Sequence, residues 1–247
     1  EQSSVGIGDV ELAPSNPNII YLGTGEHLKK PRNFTLPGTG MFRSDDAGAT
    51  WKSIGLEDSW SIAEVEIHPT NPDIAFACVL GHLWSKNSNR GLYRTTNGGK
   101  TWEQVLYIDE NTGANEIVIS PSNPQVMYAS LWEMNPGISG KNSGVYRSVD
   151  GGSTWIKSTQ GLPAGPKVGR IGLTVSATNP NKAYALVDNL NYPQGQSAEL
   201  YKTLDGGLSW SKTHSGSFPL FTTIGWYFTD VYVNPKNDEE VFGLGIR

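Results

Sequence analysis

The sequence has one cysteine, Cys78, among its 247 residues. A single cysteine excludes an intrachain disulfide, a zinc site built on paired cysteines and a CxxC redox motif. Net charge is also small: the formal value is −5, so a basic nucleic-acid-binding surface is not expected. No stretch approaches the roughly 20 apolar residues of a membrane helix, and residues 1–4 lack the charged and apolar regions of a signal peptide.

Sequence motifs of common catalytic sites are missing as well. The chain contains no GxSxG nucleophile elbow, no HExxH zinc motif and no Walker-type phosphate loop. Its four histidines are scattered, and His68 belongs to a predicted turn. Cys78 lies in the apolar segment 75–79, where we expect it to act as a small buried hydrophobe. The sequence therefore predicts neither a metal nor a cofactor.

Turn-forming and aromatic residues, by contrast, are abundant. The chain has 29 glycines, 15 prolines, 8 tryptophans and 10 tyrosines. This composition favours many short strands joined by turns, and it excludes a helical bundle.

Two short units recur along the chain. The first has four copies, which are GMFRSDDAGATW (40–51), GLYRTTNGGKTW (91–102), GVYRSVDGGSTW (144–155) and ELYKTLDGGLSW (199–210). The second is a Pro/Asn turn with five copies, at 13–18, 68–73, 120–125, 177–181 and 234–238. Repetition at a nearly fixed period is the sequence signature of a repeat architecture, so it is the strongest indication of the fold in this sequence.

Both turns are flanked by alternating apolar residues, such as Val10 and Leu12 before the first Pro/Asn turn. Each period of about fifty residues therefore holds four strands, A to D, and four-stranded sheets at that period are propeller blades. The sequence predicts an all-β fold: a β-propeller of four-stranded antiparallel blades, with four full blades and the start of a fifth, in one domain over 1–247. The predicted blades cover approximately 7–55, 60–106, 113–158, 167–213 and, in part, 222–247.

The first unit has the Asp-box pattern Ser/Thr-x-Asp-x-Gly-x-Thr/Ser-Trp, and Asn97 replaces the aspartate in the second copy. On these boxes the chain resembles the Asp-box (BNR) propellers shared by sortilin-type ectodomains, sialidases and xyloglucan-type glycoside hydrolases. It is most similar to sortilin-like exported bacterial proteins that are labelled glycosyl hydrolases. The resemblance implies an extracellular or cell-surface location, and the glycosylation sequon at 33–35 agrees with export. Because the last predicted blade has only two strands, we also expect the remaining blades to belong to a larger protein.

Turn chemistry explains the Asp-box without a ligand. The aspartate is expected to accept N–H groups of its own turn, the glycines give the backbone freedom, and the tryptophan packs on a neighbouring sheet. The same architectural interpretation covers the cationic residues that precede each box, which are Arg43, Arg94, Arg147 and Lys202.

Successive connections of an antiparallel meander alternate between the two ends of the strands. The Pro/Asn turns and Asp-boxes therefore share one end, and the long B-to-C and D-to-A connections share the other, called the loop face below. Irregular loops are where ligands are expected. The candidate ligand contacts on this face are Glu26, His82, Trp84, Trp132, Glu133, Arg170 and Trp226. Aromatic rings beside carboxylates suit stacking on a sugar ring or gripping a peptide.

Two functions remain open. The first is a propeller binding module of an exported or cell-surface protein that recognises a glycan, peptide or protein partner on its loop face. The second is a xyloglucanase-like glycoside hydrolase with part of its site outside this chain, which would need two carboxyl groups about 5–10 Å apart. The candidate carboxylates are Glu26, Asp58, Glu110, Glu133 and Asp188, and their spacing singles out no pair.

Residue-by-residue transfer from either enzyme family fails. Xyloglucan-type hydrolases carry a catalytic aspartate before a glycine pair after an early strand B, and residues 24–27 here have neither. Sialidases need an arginine triad, and apart from the box arginines only Arg32, Arg90, Arg170 and Arg247 are present. Catalytic residues are therefore unassigned, and whether the protein is an enzyme stays open.

Overall fold

The computed structural model describes residues 4, 6–26, 36–134, 137–193, 195–216, 218–221 and 225–245. The predicted sequon at 33–35, and Arg32 and Arg247, lie outside these residues. The chain divides into two compact units, residues 1–117 and 118–247. The assignment of 1–247 to a single domain stays a prediction.

Two four-stranded antiparallel meanders make up most of the first unit. The first sheet contains β1 (Ile7–Leu12), β2 (Ile20–Thr24), β3 (Met41–Ser44) and β4 (Lys52–Ser53). The second contains β5 (Ile62–Ile67), β6 (Ala75–Val79), β7 (Gly91–Thr95) and β8 (Glu103–Leu106). A short 3₁₀ helix, Glu57–Ser59, lies in the link between them.

The remaining strands follow the same plan. The third sheet contains β9 (Thr112–Ile119), in which the unit boundary falls, β10 (Met127–Glu133), β11 (Gly144–Ser148) and β12 (Ile156–Lys157). The fourth contains β13 (Val168–Val175), β14 (Ala183–Asn189), β15 (Ala198–Thr203) and β16 (Ser211–Lys212). A two-stranded sheet of β17 (Asp230–Asn234) and β18 (Asn237–Leu244) ends the described chain. The prediction of an all-β fold with four full blades and the start of a fifth is confirmed.

Apolar side chains between neighbouring sheets form the core of each unit. In the first unit Tyr21, Met41 and Ile62 are fully buried together. In the second, Tyr128 and Trp210 pack edge to face with ring centroids 6.2 Å apart. Among the described residues, no helix is long and apolar enough to cross a membrane.

The Asp-box turns satisfy their own polar groups. Asp46 accepts the Thr50 N–H at 2.8 Å and the Thr50 hydroxyl at 2.6 Å, and Ser44 donates to it at 2.8 Å. The boxes around Asp150 and Asp205 repeat this pattern, and Asn97 keeps the backbone contact in the second sheet. The box glycines, Gly48, Gly99, Gly152 and Gly207, all have positive φ. In each box the aspartate or asparagine is therefore hydrogen-bonded within its own turn, whereas the buried indole N–H of Trp210 in the fourth box has no partner.

Neighbouring sheets are joined by a repeated phenol contact. The hydroxyl of Tyr21 donates to the Pro72 carbonyl at 2.9 Å, in the Pro/Asn turn of the next sheet. Tyr128 and Tyr184 do the same in the second unit, donating to Pro180 at 2.9 Å and Asp238 at 2.6 Å. In the second sheet Phe76 occupies the corresponding position, opposite Arg94, and has no hydroxyl.

The first strands of the first unit carry a row of carboxyl groups. Asp9 on β1 accepts the Val65 N–H at 2.8 Å, and Glu64 on β5 accepts the Ile117 N–H at 2.7 Å. Burial, with Glu116 and Glu66 nearby, raises the pKa of Glu64 well above its usual value. Burial, reinforced by Asp9, raises the pKa of Glu11 to about 7. The row therefore binds protons more tightly in the folded state than in the unfolded chain.

Candidate functional site

The two ends of the sheets differ as the meander predicts. At the box end of the first unit, Arg43 pairs with Asp73 of the next Pro/Asn turn at 2.8 Å. The Gly98 N–H of the second box also donates to the Asp73 carbonyl, at 2.9 Å. At the opposite end, Asp58 in the link between the first two sheets accepts a hydrogen bond from Asn89 Nδ2 at 2.8 Å. Asn89 ends the long B-to-C loop of the second sheet, so the two irregular connections meet at the loop face.

A polar and aromatic cluster forms where these connections meet. His82 Nε2 lies 3.2 Å from Asp58 Oδ1, and the His82 ring packs on Trp60 with centroids 4.7 Å apart. We call Asp58, Trp60, His82 and Asn89 the Asp58 cluster. Of its members only His82 was among the seven predicted contacts, and Asp58 was one of the hydrolase carboxylates.

Arg90 organises the loop that carries His82, and sequence reasoning missed this role. Its side chain is fully buried, and its guanidinium donates to the carbonyls of Leu80, His82, Ser85 and Glu110. Burial lowers the pKa of Arg90 to about 10, which leaves it charged at neutral pH. A signal existed in the sequence, because Arg90 lies outside the positions that repeat in every blade.

Trp84 lies on the same loop and is 71% exposed. An exposed tryptophan of this kind offers a broad apolar surface to a ligand. Glu26, also in the first unit, is half-buried and is held in its own loop. Its Oε2 accepts the Leu36 N–H at 3.4 Å, and its backbone N–H donates to the Leu36 carbonyl at 3.0 Å.

In the second unit, Trp132 is not on the surface. Strand β10 extends through Glu133, so Trp132 lies inside a strand and is 1% exposed, and its indole N–H donates to Ile138 at 2.9 Å. This ring is therefore packed inside the described fold, and its role as a ligand contact stays a prediction. Glu133 is half-buried, and its Oε2 accepts the Asn142 N–H at 2.9 Å.

Arg170 and Trp226 are also largely enclosed. Arg170 is 8% exposed and donates to the Tyr227 carbonyl at 2.5 Å and to Asp230 Oδ1 at 3.3 Å. Trp226 is 6% exposed and packs edge to face on Tyr227 at 5.7 Å. Both residues therefore stabilise the segment before β17, and their role as ligand contacts stays a prediction.

Asp188, a hydrolase candidate at the end of β14, is 1% exposed and its Oδ1 has no hydrogen-bond partner. Burial raises its pKa to about 6. A carboxyl group in such surroundings holds its proton in mildly acidic solution. Among the described residues, no group of three or more His, Cys, Asp or Glu side chains is arranged to hold a metal.

Comparison with known proteins gives one family match. The family model described as "Sortilin, neurotensin receptor 3" (Sortilin-Vps10) matches residues 39–157 and 90–221, most of the chain.

Two curated relatives are xyloglucanases. Xyloglucanase Xgh74A of Acetivibrio thermocellus is 30% identical over 195 residues, which cover 67% of this chain and 21% of that protein. A xyloglucanase of Hypocrea jecorina is 26% identical over 193 residues, which cover 74% of this chain and 21% of that protein. The chain thus spans about a fifth of the length of these relatives.

A solved structure shares the propeller fold with this chain. The GH74 enzyme of Niastella koreensis has a TM-score of 0.69 at 18% identity, covering 94% of this chain and 34% of that one. Likeness at this level of identity supports the propeller fold alone.

Proposed function

Because this chain belongs to the Sortilin-Vps10 family, we propose that it is a propeller binding module that recognises a glycan on its loop face, within a larger exported protein. The relatives that match it over most of its length are named for xyloglucan, which makes a β-glucan chain the favoured ligand over a peptide. The location in an exported protein is proposed on the same family resemblance. Because the relatives include fungal proteins, a bacterial origin stays a prediction.

The observation that carries this proposal is the exposure of Trp84 on a loop that is held in place from within. The ring is 71% exposed, while Arg90 fixes the surrounding carbonyls by four hydrogen bonds. Sugar rings present apolar C–H faces that stack on such a ring, and a loop already in place binds with less loss of conformational entropy. The hydroxyl groups of the sugar would find partners in the Asp58 cluster on the same face.

The hydrolase is the second candidate, and Asp188 is the observation that favours it. A general acid needs a raised pKa, and that of Asp188 is about 6. A hydrolase also needs a second carboxyl group about 5–10 Å away, whereas the pKa of Asp188 is raised by burial and not by a neighbouring carboxylate. Binding without turnover is therefore the simpler proposal.

Affinity electrophoresis in gels containing soluble xyloglucan tests the proposal. We expect the full protein to be retarded, and Trp84→Ala to weaken binding about tenfold, because a stacking aromatic contributes roughly 1–2 kcal/mol. Tyr232→Ala is the matched control, since Tyr232 is 58% exposed on β17. A reducing-end assay on the same samples separates the two functions, because released ends would favour the hydrolase. Equal mobility with and without xyloglucan would contradict both.

A further inference from the structure

A small pocket opens at the loop face of the first unit, beside the Asp58 cluster. Its volume is about 240 Å³. Its lining is mixed: Leu56, Val79 and Tyr93 are apolar or aromatic, and Glu57, Asp58, Ser59 and Asn89 are polar. Pockets that enclose drug-sized molecules have volumes of about 300–1,000 Å³, so this one suits a single ring.

The backbone beside the pocket is held in an unusual conformation. Trp60 has φ 59° and ψ −47°, and the Ser61 N–H donates to the Ser59 carbonyl at 2.6 Å. These values describe a γ-turn of the strained, positive-φ form. Leu56, at the other end of the 3₁₀ helix, also has φ 59°. Strained residues of this kind persist where the surrounding structure enforces them, and they concentrate at binding and catalytic sites.

Two polar atoms in this segment have no hydrogen-bond partner. Ser59 is 2% exposed and its hydroxyl is unpaired, and the same is true of the buried indole N–H of Trp60. A buried polar group without a partner is costly, so each such group in a native fold calls for an explanation. Asp46, in the Asp-box at the other end of the sheets, is by contrast hydrogen-bonded within its own turn.

From the strained turn, the unpaired serine and the mixed apolar and polar lining, we infer that this pocket is a subsite for one sugar ring of a bound glycan, with Ser59 as a hydroxyl-recognising residue. The inference rests on the proposed function and assigns it a place. Leu56, Val79 and Tyr93 would cover the C–H face of the ring. Asp58 and Ser59 would take its hydroxyl groups, which donate and accept as the serine hydroxyl does.

A cationic peptide side chain is the alternative occupant, and the contacts favour it less. Asp58 already accepts hydrogen bonds from Asn89 and lies against His82, so its carboxylate is not an isolated charge awaiting a cation. A sugar hydroxyl can both donate to the serine hydroxyl and accept from it, whereas an ammonium group can only donate to it.

Calorimetric titration of the protein with a xyloglucan oligosaccharide tests the subsite, using wild type and Ser59→Ala. We expect Ser59→Ala to weaken binding about three- to tenfold, which corresponds to one lost hydrogen bond. The melting temperature should stay equal or rise, because the serine hydroxyl is buried and has no hydrogen-bond partner. If Ser59 had a purely structural role, its replacement would lower the melting temperature. Affinity and melting temperature together therefore separate a ligand-binding role of Ser59 from a structural one. Ser53→Ala, at an exposed serine on β4, is the control and should change neither.

The outcomes separate the subsite from the function it rests on. If the oligosaccharide binds wild type and Trp84→Ala weakens it, while Ser59→Ala binds as wild type does, the subsite is wrong and the glycan-binding function stands. If no glycan binds wild type, both are wrong. If instead a short lysine- and arginine-containing peptide binds and Asp58→Asn abolishes that binding, the occupant is a cation and the sugar assignment is overturned.

Discussion

The two ends of the sheets treat their polar groups differently. At the box end, Asp46 is surrounded by donors from its own turn, and hydrogen bonds from Thr50 lower its pKa to about 2. At the loop face, Ser59 and Trp60 keep buried polar atoms without a partner. The first pattern repeats from sheet to sheet and the second does not. A repeated turn whose aspartate is hydrogen-bonded within it marks architecture, whereas a link that does not repeat and keeps unpaired buried atoms beside a pocket marks the surface where a ligand is expected.

The largest expected effect tests whether the box end is purely architectural. Trp210→Ala should cost about 3–5 kcal/mol of unfolding free energy, as large-to-small changes at buried aromatics do, because Trp210 is 3% exposed and packs on Tyr128. Trp155→Ala should cost less. Its ring is half-buried, and its indole N–H donates to Gly152 of its own turn at 3.1 Å. Urea unfolding measures both free energies. Equal losses in the two variants would show that the exposure of the box tryptophan does not determine how much it stabilises the fold. Glycan binding by either variant should match wild type where the fold persists.

The next largest effect concerns Arg90, a loop-face residue whose buried side chain is hydrogen-bonded as completely as the box aspartates are. Arg90→Met should cost about 2–4 kcal/mol, because it leaves four buried carbonyl acceptors without their donor. It should also weaken glycan binding, since the loop that carries His82 and Trp84 loses its internal support. Lys52→Met is the control, because that side chain is 74% exposed and should change stability by less than about 0.5 kcal/mol. Unchanged binding in a folded Arg90→Met variant would contradict the proposed role.

The smallest effect concerns pH and compares carboxyl groups of opposite behaviour. The box aspartates, Asp46, Asp150 and Asp205, have pKa values lowered to about 2, so their contribution is present above the unfolded pKa and lost as pH falls toward 2. Glu11 and Asp188 have pKa values raised to about 7 and about 6, so their contribution is complete below the unfolded pKa and lost as pH rises through 6 and 7. Stability should therefore peak in mildly acidic solution.

Urea unfolding between pH 5 and 8 measures the alkaline side of this profile. We expect a loss of about 1–2 kcal/mol, since solvent screens the partly exposed Glu11. Glu11→Gln should flatten that loss, because the pKa of Glu11 is about 7 and the amide does not ionise. Glu103→Gln, at a side chain 70% exposed, should leave the profile as it is. A flat wild-type profile would show that the buried row is not protonated in the fold.

The sequence predicts the fold well and the candidate site only in part. Turn motifs at a fixed period specify strands, sheet order and the two ends, because each motif carries its own local chemistry. The ends of strands are less secure, since Trp132 was expected in a loop and lies in β10, which is buried on both faces up to this residue. Arg90 and Ser59 were missed as site residues because their roles depend on loop carbonyls and a γ-turn that no sequence period encodes.

The phenol contact between sheets has a consequence for the order in which the chain matures. The Tyr21 hydroxyl finds its acceptor at Pro72, and Tyr184 finds its own at Asp238. During synthesis the phenol of the first, third or fourth sheet therefore leaves the ribosome unpaired, and only the following stretch of about fifty residues supplies its acceptor. Each of these three sheets is completed by the sheet that follows it, so this part of folding proceeds along the chain from one repeat to the next, whereas the second sheet, with Phe76, makes no such contact.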